Sequence, residues 1–125
     1  MIPRGHLLTN TLGVVTMKIA VATIDGQVAA HFGHCREFVL YDTEGSHITA
    51  KNIVPSPAHQ PGALPRFLGQ QGVDCVIAGG MGPSAQNLLA QQNISTIIGA
   101  TGPADEVIKA YLAGNLQLGD SACHH

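Results

Sequence analysis

Charge is scarce in this chain. Only 11% of its 125 residues are Asp, Glu, Lys or Arg, and Lys and Arg together number six. A nucleic-acid binder normally carries a basic patch, so this shortage argues against that class. Long hydrophobic runs are missing too. The stretch near the start holds Leu7-Leu8 and Leu12-Gly13-Val14-Val15, but Thr9-Asn10-Thr11 interrupts it. It is too short and broken for a membrane span. With one Arg and no small-residue cleavage site it is also a poor signal peptide. Cysteine is limited to Cys35, Cys75 and Cys123, an odd number without disulfide-like spacing, which fits a reduced, cytoplasmic setting. No pair of carboxylates stands out, which weakens a hydrolase or nuclease reading. No glycine-rich segment matches the P-loop or GxGxxG pattern, so a nucleotide is not indicated.

What is present is a core and a supply of histidine. Hydrophobic residues make up 45% of the chain, enough for one folded domain. Seven histidines outnumber Lys and Arg, so the net charge of -2 swings strongly between about pH 7 and pH 5. Met17-Lys18-Ile19 looks like a second start, and residues 1–16 are expected to be a leader outside the fold. Residues 17–116 form the expected domain, and residues 117–125 a flexible polar tail.

The pattern along that domain reads as α/β. Lys18-Ile19-Ala20-Val21-Ala22 is a continuous apolar run, as expected of a strand covered on both faces. Segments 37–42 and 47–54, joined by Thr43-Glu44-Gly45-Ser46, read as an antiparallel hairpin. A Pro-rich connector, residues 55–62, can continue neither strand nor helix. Then come helix, strand, helix, strand, helix. The two strands near Val76 and Ile97 make a βαβ unit, which must be parallel and right-handed. The expected result is a mixed five-stranded sheet covered by helices, with the first strand between the hairpin and the βαβ unit.

Five places could carry chemistry. His31-Phe32-Gly33-His34-Cys35-Arg36 shows neither helical nor strand period and lies between two strands, so it reads as a loop. Imidazole and thiolate are ligands for borderline and soft metals, and Arg is a fixed cation. The residues alone are equally compatible with a polar loop bearing scattered histidines. His34 and Arg36 could lower the pKa of Cys35 and make it a ligand or reactive thiol, whereas Cys75 reads as a buried structural thiol. Gly80-Met81-Gly82-Pro83-Ser84 and Gly99-Ala100-Thr101-Gly102-Pro103 share one design: a strand ends, glycines turn, and a helix starts with Pro near its first position. Two such helix N-termini would favour an anion, although any α/β fold needs similar turns. His59 sits in the Pro-rich connector and is a candidate flap residue. Cys123-His124-His125 is a compact set of soft ligands, either a metal site or a polar end.

Taken in order, Met17-Lys18-Ile19-Ala20-Val21-Ala22, then His31-Phe32-Gly33 followed by Phe38, then Val73-Asp74-Cys75-Val76-Ile77-Ala78-Gly79-Gly80-Met81-Gly82-Pro83 resemble the dinitrogenase iron-molybdenum cofactor biosynthesis family. The resemblance runs over residues 17–116 and implies a ribonuclease H-like fold. It is similar in scale to the standalone members, among them the orange protein of sulfate reducers, which carries a molybdenum-copper-sulfide cluster. It implies a non-catalytic carrier or assembly factor for an anionic metal-sulfide cluster, Mo-Cu-S or Fe-Mo-S, held without covalent bonds. The candidate cluster-binding residues are His31, Phe32, Gly33, His34, Cys35, Arg36, His59, Gly80, Met81, Gly82, Thr101 and Gly102. Cys35 and His31 are the candidate metal ligands, with Cys123, His124 and His125 as weaker ones. Partners would be other cluster-assembly or ATPase proteins, with no nucleic acid and no membrane. His31 matches the family histidine, whereas many members have Arg and a small residue where this chain has His34 and Cys35. Two other classes stay open: a small-molecule or phosphate-binding enzyme using the same helix N-termini, and an interaction module with a vestigial site.

Overall fold

The protein was analysed as a computed structural model that describes residues 8–9, 15–57 and 62–119. A mixed sheet forms its centre. The strands are β1 (Leu8–Thr9), β2 (Val15–Ile24), β3 (Gln27–Val28), β4 (Glu37–Glu44), β5 (His47–Pro55), β6 (Cys75–Ala78) and β7 (Ser95–Ile98), and the helices are α1 (Ala63–Gln70), α2 (Pro83–Gln91) and α3 (Ala104–Ala113). The main strand order is β5-β4-β2-β6-β7, with β1 and β3 each pairing with β2. β2 is antiparallel to β4 and parallel to β6, and β6 is parallel to β7. The expected hairpin, βαβ unit and central first strand are therefore all present.

The period of two along β2 divides the core between the sheet faces. Ala20 and Ala22 pack with Phe38, Leu40, Val76 and Ala78 beneath Leu64, Leu68 and Leu89, which come from α1 and α2. Ile19 and Val21 point the other way, to Val39, Tyr41, Cys75 and Ile77 and to Val107 and Ile108 of α3. Both faces are covered, so the middle strands read as unbroken apolar runs. β5 is the exception: it forms an edge, and almost all of it is exposed.

Two boundaries differ from those expected. Val15 and Thr16, assigned to the leader by sequence, belong to β2, where Thr16 pairs with Glu44 and β1 adds to the same end. A β-strand continues as long as a neighbour offers its backbone, and β4 runs to Glu44. Thr43 and Glu44 accordingly lie in the strand and leave Gly45 and Ser46 to turn the hairpin. The sequence reading also passed over β3, which folds back onto β2 through Asp25-Gly26, both with positive φ (53° and 82°). Asp-Gly between extended segments is a strong signal for such a turn.

Candidate functional site

β2, β6 and β7 are mutually parallel, so the turns that follow them leave the sheet at one edge. After the β3 fold-back the chain enters a single 3-10 turn, Phe32–His34. Phe32 anchors this turn. Its ring is buried 5.9 Å from that of Phe38, and its N–H donates to the Gly80 carbonyl at 2.8 Å. The His34 N–H closes the turn by donating to the His31 carbonyl at 3.0 Å. The His31-bearing turn and the Gly80 turn are thus joined backbone to backbone. His31, Gly33 and His34 remain exposed.

Beside this junction is a cleft of about 430 Å³. His31 and His34 stand at it with Phe32 and Gly33, while Gly80, Met81 and Gly82 form the β6 side. Leu64 and Pro65 of α1 and Ala85 and Leu88 of α2 make the walls, with Gly62 and Ser84 completing them. Among the described residues no Asp, Glu, Lys or Arg is in this lining. The wall from α1 was missed by sequence reasoning. Its signal was the apolar pair Leu64-Pro65 at the very start of a helix, directly after the connector that carries His59.

α2 begins at the cleft with Gly82 as N-cap, Pro83 in the first turn, no side-chain cap and no acidic residue in that turn. Backbone N–H groups in the first turn of a helix have no partner within it, and they carry the positive end of the helix dipole. The cleft therefore combines soft apolar walls, two imidazoles, a buried thioether and a helix end that favours negative charge.

The other expected residues are placed differently. Thr101 and Gly102 do not line the cleft. The Val28 N–H donates to the Gly102 carbonyl at 2.9 Å, Gln27 bridges to Pro103, and the Ala104 N–H donates to the Gly26 carbonyl at 2.9 Å. The second glycine turn is thus clamped by β3, and α3 opens with Asp105 and Glu106, which oppose an anion there. Arg36 lies outside the lining as well. Its N–H donates to the Thr23 carbonyl and its own carbonyl accepts from the Ser56 N–H, both at 2.9 Å.

Cys35 reverses the expectation of an activated thiol. It is fully buried beside Phe32 and Phe38, and burial pushes its pKa up to about 11 despite a weak contact with the Ser56 hydroxyl. Proximity of His34 and Arg36 in sequence does not place their charge against the sulfur, because Cys35 turns inward while both neighbours are exposed. Cys75 is buried as expected, with its pKa pushed up to about 12, chiefly by burial. The two thiols belong to opposite sheet faces and both are free. His59, Cys123, His124 and His125 lie outside the described residues. Among the described residues no group of three or more His, Cys, Asp or Glu side chains converges as a metal cage, and no helix is long and apolar enough to cross a membrane.

This architecture has known relatives. An uncharacterized protein of Methanocaldococcus jannaschii is 31% identical over 115 residues, covering 88% of this chain and 98% of its own. The crystal structure of the protein PH0822 superposes with a TM-score of 0.78 at 32% identity, over 82% of this chain and 94% of that one. The apo form of the orange protein from Desulfovibrio gigas shares the fold at a TM-score of 0.69 and 22% identity, over 84% and 94% of the two chains. The profile of the family described as dinitrogenase iron-molybdenum cofactor matches residues 15–114, from the first residue of β2 to the glycine that ends α3. On that match, spanning β2 to β7 and all three helices, the chain belongs to this family.

Proposed function

We propose that the cleft binds an anionic metal-sulfide cluster and that the protein carries or helps assemble it without catalysing a reaction. The observation that carries this reading is the cleft lining: imidazoles, a methionine and aliphatic walls at an uncapped helix N-terminus, with no carboxylate or fixed cation among the described residues there. A sulfide cluster is large, polarisable and negative. Its sulfur atoms suit apolar walls, and its charge suits helix N–H groups and imidazole donors. Among the described residues the lining has no carboxylate to orient either imidazole as a general base, which supports carriage over an enzyme acting on a phosphate or small molecule. The family description supports a cluster of molybdenum and iron, and copper is the alternative second metal in this proposal. Holding would be non-covalent for the most part, because no ready cage of three ligands is present among the described residues.

The experiment is anaerobic mixing of the purified chain with tetrathiomolybdate and copper(I), followed by gel filtration and metal analysis of the protein peak. Coloured protein with bound molybdenum is the expected result. Leu88→Glu, which puts a negative charge into the wall, should abolish retention. Thr101→Glu, at the clamped turn, should leave it unchanged. Equal loss in both variants, or no colour in any protein, overturns the assignment.

A further inference from the structure

The cluster reading uses the two histidines only as part of a lining, yet their geometry is more specific than that. His31 is the N-cap of the 3-10 turn and His34 its last residue. His31 is itself extended (φ -134°, ψ 126°), and the single turn that follows brings His34 back beside it. Here the two rings have centroids 5.6 Å apart and planes inclined at 58°. The hydrogen bond from the His34 N–H to the His31 carbonyl fixes the spacing of their backbones, and the buried Phe32 ring between them holds the turn to the core.

A metal bound to imidazole sits about 2.0–2.1 Å from the nitrogen, hence about 3.2 Å from the ring centroid. With one nitrogen of each ring turned to a shared point, arms of that length from centroids 5.6 Å apart meet at about 120°. That is close to the tetrahedral value and within reach of it by a small rotation of either ring. Imidazole is the donor that zinc, copper and nickel share. Two donors from one short turn leave further coordination positions open towards the cleft.

We infer that His31 and His34 together chelate one borderline divalent metal ion at the mouth of the cleft. The site needs no sulfide and does not rest on the cluster reading. Where a cluster is bound, the same ion gives its sulfur atoms a direct attachment point, which helix N–H groups and apolar walls do not.

Zinc is the appropriate probe because it does not oxidise thiols. The full-length chain is used in a background carrying Cys123→Ser, His124→Ala and His125→Ala, so that these alternative ligands do not compete. Zinc is titrated into sulfide-free protein while the histidine ring signals are followed by NMR. The signals of His31 and His34 should move together and saturate at one equivalent. His34→Ala and His31→Ala should each weaken zinc binding about a hundredfold, the usual gain from joining two donors on a short rigid link. Both side chains are exposed, so the thermal midpoints of these variants should match the parent. The inference is overturned if the two rings titrate at different zinc concentrations, or if His34→Ala binds zinc as tightly as its parent. Because no sulfide is present, either failure leaves the cluster experiment above to stand or fall separately.

Discussion

The turn over residues 79–83 and the turn over residues 99–103 start alike. Each follows a short parallel strand, each spends two or three glycines on bending, and each hands over to a helix beginning at or next to a proline. Their surroundings make them different objects. The first is joined to the His31 turn and opens onto the cleft through Gly80, Met81 and Gly82. The second is covered: β3 bonds to Gly102 and bridges to Pro103, Gly26 accepts from the first N–H of α3, and the Gly119 N–H donates to the Gly99 carbonyl at 2.8 Å. Their helices carry opposite instructions for charge, with no acid in the first turn of α2 and two in that of α3. A glycine turn at a strand end is thus a possible anion site only where nothing else in the chain satisfies it first.

The most forceful way to break this comparison is to loosen the open turn at its anchor. Phe32 is 2% exposed and packs on Phe38. Phe32→Ala should cost about 3–5 kcal/mol, the usual range for a buried Phe, measured by urea denaturation. Zinc binding by the His31–His34 pair should fall in the fraction that stays folded, because the turn loses its hold on the core. A loss below about 1 kcal/mol would mean that the turn is held by its backbone bonds and not by the ring.

A smaller effect tests the glycines themselves. A Cβ on Gly79 would meet the Ala29 carbonyl oxygen at 2.8 Å and the Ala30 Cα at 2.9 Å, both backbone atoms with no side chain to swing aside. A Cβ on Gly99 would meet the Gly119 carbonyl oxygen, and Gly99 also has φ +97°. Gly79→Ala and Gly99→Ala should each destabilise by about 1–3 kcal/mol. The Gly82 position is open, with nothing within 4 Å of an added Cβ. Gly82→Ala should therefore leave the denaturation midpoint nearly unchanged. Similar costs at Gly82 and Gly99 would show that the mouth of the open turn is as tightly packed as the clamped one.

The chain order of elements was legible because it depends on local pattern. Ile19-Ala20-Val21-Ala22 and Val76-Ile77-Ala78 announce strands covered on both faces, and Gly45 between two β-favouring segments announces the hairpin. The meeting of the His31 segment with Gly80 was legible too, since parallel strands deliver their turns to one edge. The direction of single side chains was not. Cys35 read as a candidate ligand or reactive thiol because His34 and Arg36 flank it in sequence, but a turn of three residues sends Phe32 and Cys35 inward while His31, His34 and Arg36 stay outside. The fate of Thr101 and Gly102 was hidden for another reason. It is set by β3, a two-residue strand too short to show periodicity, and only Asp25-Gly26 gave notice of it.

The smallest predicted effect lies on the α3 face, away from the cleft. Asp105 accepts a hydrogen bond from the Tyr41 hydroxyl at 2.6 Å, and the Lys51 ammonium lies 2.9 Å from its carboxylate. The Tyr41 bond first, and the Lys51 contact second, hold the Asp105 carboxyl below the usual carboxylate range. A depressed pKa in the folded state means that the folded state prefers the ionised form. Its contribution is therefore fully present above the unfolded value near pH 4, and it is lost as the pH falls through the lower folded value. The Asp105 side chain is 53% exposed, so solvent screens the interaction and its worth is about 0.2–1 kcal/mol at neutral pH. Comparing wild type with Asp105→Asn in urea should show that difference at pH 7 and a narrowing gap below about pH 4. Asparagine can still accept the tyrosine hydroxyl, so what disappears is the charge and not the hydrogen bond. This pair ties the hairpin to α3 and has no part in the cleft, so Asp105→Asn should leave zinc binding by His31 and His34 unchanged. A gap that widens in acid would show that Asp105 is less ionised in the fold than in the unfolded chain, and a fall in zinc affinity would show that the two faces of the sheet are coupled.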